Sequence, residues 1–127
     1  MNLRRWIRWT WRDLVDATYG RIKYGCNPQD IWNLDSTFAA WVIPRLKLMR
    51  DKGHGVPNEV YNVYHDEPDE TRGKLAAELW RVKLNGMIRG FEIIADGKHI
   101  CATDDSYFVA AKVAIDMFHK YYFDLWD

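Results

Sequence analysis

Cysteine is scarce in this chain: Cys26 and Cys101 stand alone. Two isolated thiols exclude a disulfide-stapled framework, and reduced cysteines in a cytosol are the expectation. A long hydrophobic run is missing too. The N-terminus is basic, but no apolar stretch follows that would serve as a signal or span a bilayer. No membrane partner is expected. Net charge is absent as well, with 18 Lys and Arg against 18 Asp and Glu over 127 residues. That balance disfavours indiscriminate DNA coating, which relies on many phosphate contacts. There is no internal repeat and no low-complexity tract, and the length suits one domain, residues 1–127, with one core.

The usual signatures of chemistry are also wanting. His54, His65, His99 and His119 show no metal-ligand spacing. Gly53-His54-Gly55 lacks the other glycines and the Lys-Ser/Thr end of a phosphate loop, and there is no nucleophile elbow. Asp66-Glu67 and Asp104-Asp105 suit an acidic loop and a helix cap better than metal-dependent phosphoryl chemistry. Few carboxylates fall on apolar faces, where a general acid or base would have its pKa tuned. The expectation is a protein that is not an enzyme and uses no metal or cofactor.

Aromatics are abundant, with seven Trp and seven Tyr. Large rings supply buried area in a small core, and they also stack on bases and anchor interfaces. Charge is unevenly spread. Residues 1–25 carry six Arg/Lys against two Asp, whereas residues 58–71 hold Glu59, Asp66, Glu67, Asp69 and Glu70 with no Lys or Arg before Arg72.

Spacing predicts an all-α chain, a compact bundle of about four helices with a kinked central helix. Residues 2 to about 19 form the first, with Leu3, Ile7, Leu14 and Val15 apolar, Trp6, Trp9 and Trp11 beside them, and a ridge of Arg4, Arg5, Arg8 and Arg12. That ridge fits a membrane surface, a nucleic acid, or a helix docked on the core with solvated arginines; the last is the favoured reading. Asn27-Pro28 starts a short turn over 29–32.

The stretch from Asp30 to Gly53 is the organising element. Its helix is apolar on nearly every side, which marks a buried element. Leu34, Phe38, Trp41, Val42, Leu48 and Met49 share one side, with Arg45 among them. A buried guanidinium needs a carboxylate or a phosphate to answer it, and Asp35 and Glu92 are the internal candidates. Asp35 or Ser36 is expected to cap this helix, and Pro44 to kink it.

Residues 53–70 read as a loop in which Val60, Tyr61, Val63 and Tyr64 form a short turn or strand. Residues 71–95 are clearly amphipathic, with Ala76, Trp80, Leu84, Met87, Phe91 and Ile94 inward and Lys74, Glu78, Arg81, Asn85, Arg89, Glu92 and Asp96 outward. An alternative breaks the helix at Gly90 and forms a small β-hairpin over 91–102 about Asp96-Gly97. The last helix, capped at Thr103-Asp104-Asp105, carries Phe108, Ala111, Ile115, Phe118, Tyr122 and Leu125 as a near-heptad seam, and Tyr107, Ala110, Ala114, Met117 and Tyr121 as a second flank. Two apolar flanks exceed what one partner helix needs, so this helix is expected either at the centre of the core or at an oligomer interface, and a homo-oligomer through it is the partner expected.

Three stretches resemble a family of small, functionally uncharacterised proteins of tailed bacteriophages. Trp32-Asn33-Leu34-Asp35, Ala39 and Ile43-Pro44-Arg45-Leu46 are similar to W-S-L-D followed by I-L-P-R-L. Trp80, Leu84, Met87-Ile88 and Phe91-Glu92 are similar to a W…L…M-I…A-F-E helix, and Phe118 to Asp127 to a terminal F-x-K-Y-x-x-x-L-W-D. Asn33 stands where the family usually has Ser, and Gly90 where it has Ala. The resemblance covers about half the chain and implies a phage origin, a helical fold and residence in the host cytoplasm. It makes counter-defence an expectation: a sponge that sequesters a cyclic or ADP-ribose-type nucleotide second messenger. Candidate ligand residues are Trp32, Trp80 and Tyr121 for stacking, Arg45 and Arg89 for phosphate, and Glu92 beside them. The alternatives are a protein inhibitor of a host defence enzyme and a nucleic-acid accessory protein acting through Arg4–Arg12, with nucleic acid the less favoured partner.

Overall fold

The computed structural model describes residues 3–100 and 105–126. The expectations for Cys101, the Thr103-Asp104 part of the cap, the terminal Asp127 and the side chains of Leu3, Arg4, Arg5, Trp6 and Trp9 lie outside the described residues. The chain divides into two compact units, residues 1–34 and 35–127.

In the first unit, α1 (Leu3–Tyr24) is followed by a 3-10 turn, Pro28–Asn33. The helix runs five residues past the expected end near Tyr19, straight through Gly20. That glycine is needed for close approach, since a Cβ there would collide with the Pro28 ring. Gly25, at φ 76°, ends the helix in the left-handed region that glycine tolerates. Asn27 caps the 3-10 turn as expected, its side chain accepting the Gln29 amide at 3.1 Å.

The second unit holds most of α2 (Leu34–Lys52), the five-residue α3 (Asn58–Asn62), α4 (Asp69–Ala95), α5 (Asp105–Lys120) and a closing 3-10 turn, Tyr122–Asp124. No strand occurs among the described residues. The fold is all-α, with four long helices. Helix α4 is the spine of the core. Ala76, Trp80, Leu84, Met87, Phe91 and Ile94 are all buried along it, and the outward residues Lys74, Glu78, Arg81, Asn85 and Arg89 are exposed.

The hairpin alternative fails for a specific reason. Asp96-Gly97 is a helix C-cap: Gly97 N–H donates to Ile94 at 3.0 Å and Lys98 N–H to Ile93 at 3.1 Å, with Gly97 at φ 69°. This is the Schellman arrangement, which satisfies carbonyls that the helix leaves unpaired. Gly90 does not break α4 either. It faces Ala114 and the Ala110 carbonyl of α5, so the two backbones pack closely there.

Helix α2 departs from expectation in its phase. Its buried residues are Ala39, Val42 and Leu46, while Phe38, Trp41 and Leu48 are exposed. The helix is not buried all round, and Arg45 is exposed rather than sunk in the core. Neither internal answer to Arg45 forms. Glu92 pairs with Lys47 at 2.8 Å, and Asp35 lies 3.5 Å from His99. Ser36 has a role other than capping: its hydroxyl donates to the Ile94 carbonyl at 3.2 Å, tying the start of α2 to the end of α4. At the other end of α2, Arg50 donates to Asn85 of α4 at 2.9 Å.

Side chains fasten the remaining elements. Arg72 of α4 donates to the Tyr61 carbonyl and to Asn62, holding α3. Lys120 pairs with Glu59 at 2.7 Å, which raises the lysine above its ordinary pKa.

Candidate functional site

A cleft of the second unit, with a volume of about 480 Å³, lies between α2 and the end of α5 with the turn that follows it. Its origin is a difference in how helices approach. Glycine and alanine bring α4 and α5 together, whereas α2 meets its neighbours through large side chains: Phe38 touches Phe91 and Phe118 edge-on, at 6.1 and 5.8 Å between centroids. The space left over is walled by Phe38, Trp41, Val42, Arg45, Leu46 and Met49 of α2, and by Phe118, Tyr122 and Leu125 across from them. The size falls in the usual range for small-molecule sites, about 300–1,000 Å³, which combine an apolar lining with few polar groups.

Arg45 is the one charged residue in that lining. Its guanidinium lies over the Trp41 ring, 3.9 Å from the centroid, and Nη1 donates to the Trp41 carbonyl at 2.7 Å. Both contacts are to the residue one turn back on the same helix. Among the described residues it forms no ion pair. Arginine carries five N–H donors in a planar fork, so four remain for a carboxylate or phosphate, whose geometry the fork matches. Beyond Arg45 the polar chemistry is sparse: the Trp41 indole N–H, the Tyr122 hydroxyl, backbone and a thioether. No nucleophile sits beside a base among the lining residues.

The expected site residues scatter. Arg45 lines the cleft. Trp80 and Tyr121 are core residues, 5 % and 2 % exposed, packed edge-to-face at 5.2 Å. Trp32 belongs to the first unit, where it is 83 % exposed. Arg89 is exposed on the outward stripe of α4 and lines none of the described clefts, and Glu92 is engaged by Lys47. Sequence reading missed Phe38, Trp41, Phe118 and Tyr122 as site residues. A signal was present: Trp41 precedes Arg45 by four residues, so ring and cation share one face, and Phe118 precedes Tyr122 by the same interval.

A smaller cleft of about 230 Å³ holds Arg50, Asp51, His54, Trp80 and Arg81. Its charges are spent on one another. Arg50 grips Asp51 with two N–H groups, at 2.8 and 3.2 Å, and Arg81 approaches the same carboxylate at 3.6 Å. The Arg50 hydrogen bond holds Asp51 below its ordinary pKa of 3.8. Among the described residues no group of three His, Cys, Asp or Glu could hold a metal, and no helix is long and apolar enough to cross a membrane.

No protein-family model, curated protein or solved structure matches the chain.

Proposed function

We propose that this chain is a non-enzymatic binding protein whose α2–α5 cleft holds a nucleotide-type second messenger, taking its phosphate on Arg45 and its ring against the aromatic walls. One observation carries the reading. An arginine with no carboxylate on it among the described residues stands at a small-molecule-sized cleft lined by Phe38, Trp41, Phe118 and Tyr122. The cleft offers stacking surfaces and one anion-binding fork, and it offers no general base. Retention without turnover is the behaviour that chemistry favours. The resemblance to tailed-phage proteins supplies the context: sequestration of a host defence signal in the host cytoplasm.

A thermal-shift series with cyclic di- and trinucleotides and ADP-ribose derivatives tests the proposal. Ligand at about a hundred times its Kd stabilises the native state by roughly 2.7 kcal/mol, a readily measured shift. Charge-assisted hydrogen bonds contribute about 1.5–3 kcal/mol, so Arg45→Ala is expected to weaken binding roughly 10- to 150-fold. Its helical circular dichroism is expected to stay at the wild-type value and its melting temperature within a few degrees of it, since only contacts to Trp41 on the same helix are lost. A nucleotide bound equally well by Arg45→Ala removes this cleft as its site, and the absence of any shift removes the nucleotide reading and leaves a host protein as the partner to seek.

A further inference from the structure

The aromatic walls of the cleft continue onto the surface. Trp41, Phe38, Phe118, Tyr122 and Phe123 form an unbroken series of ring contacts, at 6.1, 5.8, 5.6 and 5.5 Å between successive centroids. Along α5 and past its end, Phe108, Ile115 and Tyr122 recur at seven-residue steps. The companion positions Ala111, Phe118 and Leu125 turn into the core or pack against it. The seam is therefore split lengthwise, with one row used and the other open. From the structure we infer that this open row is covered by a second copy of the same chain.

Area decides that something covers it. Phe38, Trp41, Phe108, Ile115, Tyr122 and Phe123 are 39, 54, 55, 50, 57 and 88 % exposed. At about 200 Å² for each fully exposed residue, they present on the order of 700 Å² of surface, part of which, on Phe38, Trp41 and Tyr122, also walls the cleft. Monomers rarely expose more than about 300–600 Å² in one patch, and a stable interface uses about 800 Å² per partner.

Charge points to the same chain as the occupant. A two-fold contact must be self-complementary. The edge of the open row carries Lys112 and Asp116, both exposed. Antiparallel pairing of two α5 helices about Ile115 brings like edge against like edge, so each Lys112 comes within a turn of the other copy's Asp116. Opposite charges meet on both sides of the axis, while Ile115 meets Ile115 and Phe108 meets Tyr122. Phe38, Trp41 and Tyr122 belong both to this surface and to the walls of the cleft, so a second copy seated here closes over the mouth of the proposed ligand site.

Sedimentation equilibrium on the full chain, from about 1 to 200 µM, reads it directly. Wild type is expected to reach the dimer mass within that range. Ile115→Glu sets two carboxylates against each other at the axis and is expected to weaken association at least about 100-fold. Helical circular dichroism shows that the variant is folded. Tyr122→Arg repeats the test at the end of the row, and Val82→Glu, on an exposed position of α4, is expected to dimerise like wild type. A wild-type chain that stays monomeric at the upper concentration overturns the inference. So do dimers that persist in both Ile115→Glu and Tyr122→Arg.

Discussion

Gly90 is where the α4–α5 contact can be weighed. In isolation, Gly→Ala within a helix is favourable by about 1 kcal/mol. Here a Cβ would overlap the Ala114 methyl and stand 2.7 Å from the Ala110 carbonyl oxygen. A methyl can be removed by mutation, but a backbone carbonyl can move only with its helix. Overpacking of this kind costs about 1–3 kcal/mol, and with two clashes the upper half of that range applies. Gly90→Ala is therefore expected to lose about 1–2 kcal/mol net, despite its better propensity. Ala114→Gly in the same chain relieves the first clash and leaves the second. The double mutant is expected to be more stable than the sum of the two single losses by about 0.5–1 kcal/mol, the coupling expected of residues in contact. Urea denaturation followed by circular dichroism measures all four corners of the cycle. A Gly90→Ala protein more stable than wild type, or a coupling of zero, would refute the close helix approach as the reason for this glycine.

Trp80→Ala is expected to cost about 3–5 kcal/mol, since the ring is buried against Tyr121; a chemical melt that scarcely moves would put Trp80 back among the ligand candidates. Arg45→Ala removes an exposed ring contact and a hydrogen bond within one turn of its own helix and is expected to cost no more than about 1 kcal/mol, which the same melt checks. Ser36→Ala is expected to lose about 1 kcal/mol by removing the hydrogen bond to Ile94. For pH, Asp51 is lowered by Arg50, so its stabilising contribution is full above its ordinary value of 3.8 and is lost as pH falls through the depressed folded value. Lys120 is raised by Glu59, so its contribution is full below 10.5 and is lost as pH rises through the raised folded value. Thermal melts from pH 2 to 11 should show both limbs, and Asp51→Asn should flatten the acid one.

How far the sequence could be read depended on contrast within each helix. Residues 71–95 alternate charged and apolar positions at helical steps, and every residue assigned to the inward face of α4 is buried. Helix α2 has few polar residues to mark its outside. With Phe38, Trp41 and Leu48 as apolar as Val42 and Leu46, spacing alone drew its inward face too wide: Val42 is buried as expected, but Phe38, Trp41 and Leu48 are exposed. That error also placed Arg45 in the core. That its guanidinium would need a partner was legible, but the partner was not, because it is a ring and a carbonyl one turn back rather than a carboxylate. Trp80 and Tyr121 looked like stacking residues because composition cannot separate a buried ring from an available one. Asp96-Gly97 fits both a hairpin turn and a helix C-cap, and the choice is made by the Ile93 and Ile94 carbonyls, which only a continued helix presents.

Helix ends ordinarily fray, and the last turn of α4 is fastened against it. The Ile94 carbonyl accepts from both the Gly97 amide and the Ser36 hydroxyl, while Lys98 closes on Ile93. Opening that turn therefore requires the first turn of α2 to let go as well. The two helix ends, almost sixty residues apart in sequence, should exchange their amide hydrogens as one cooperative unit. The protein would then keep time locally by a contact that neither helix makes alone.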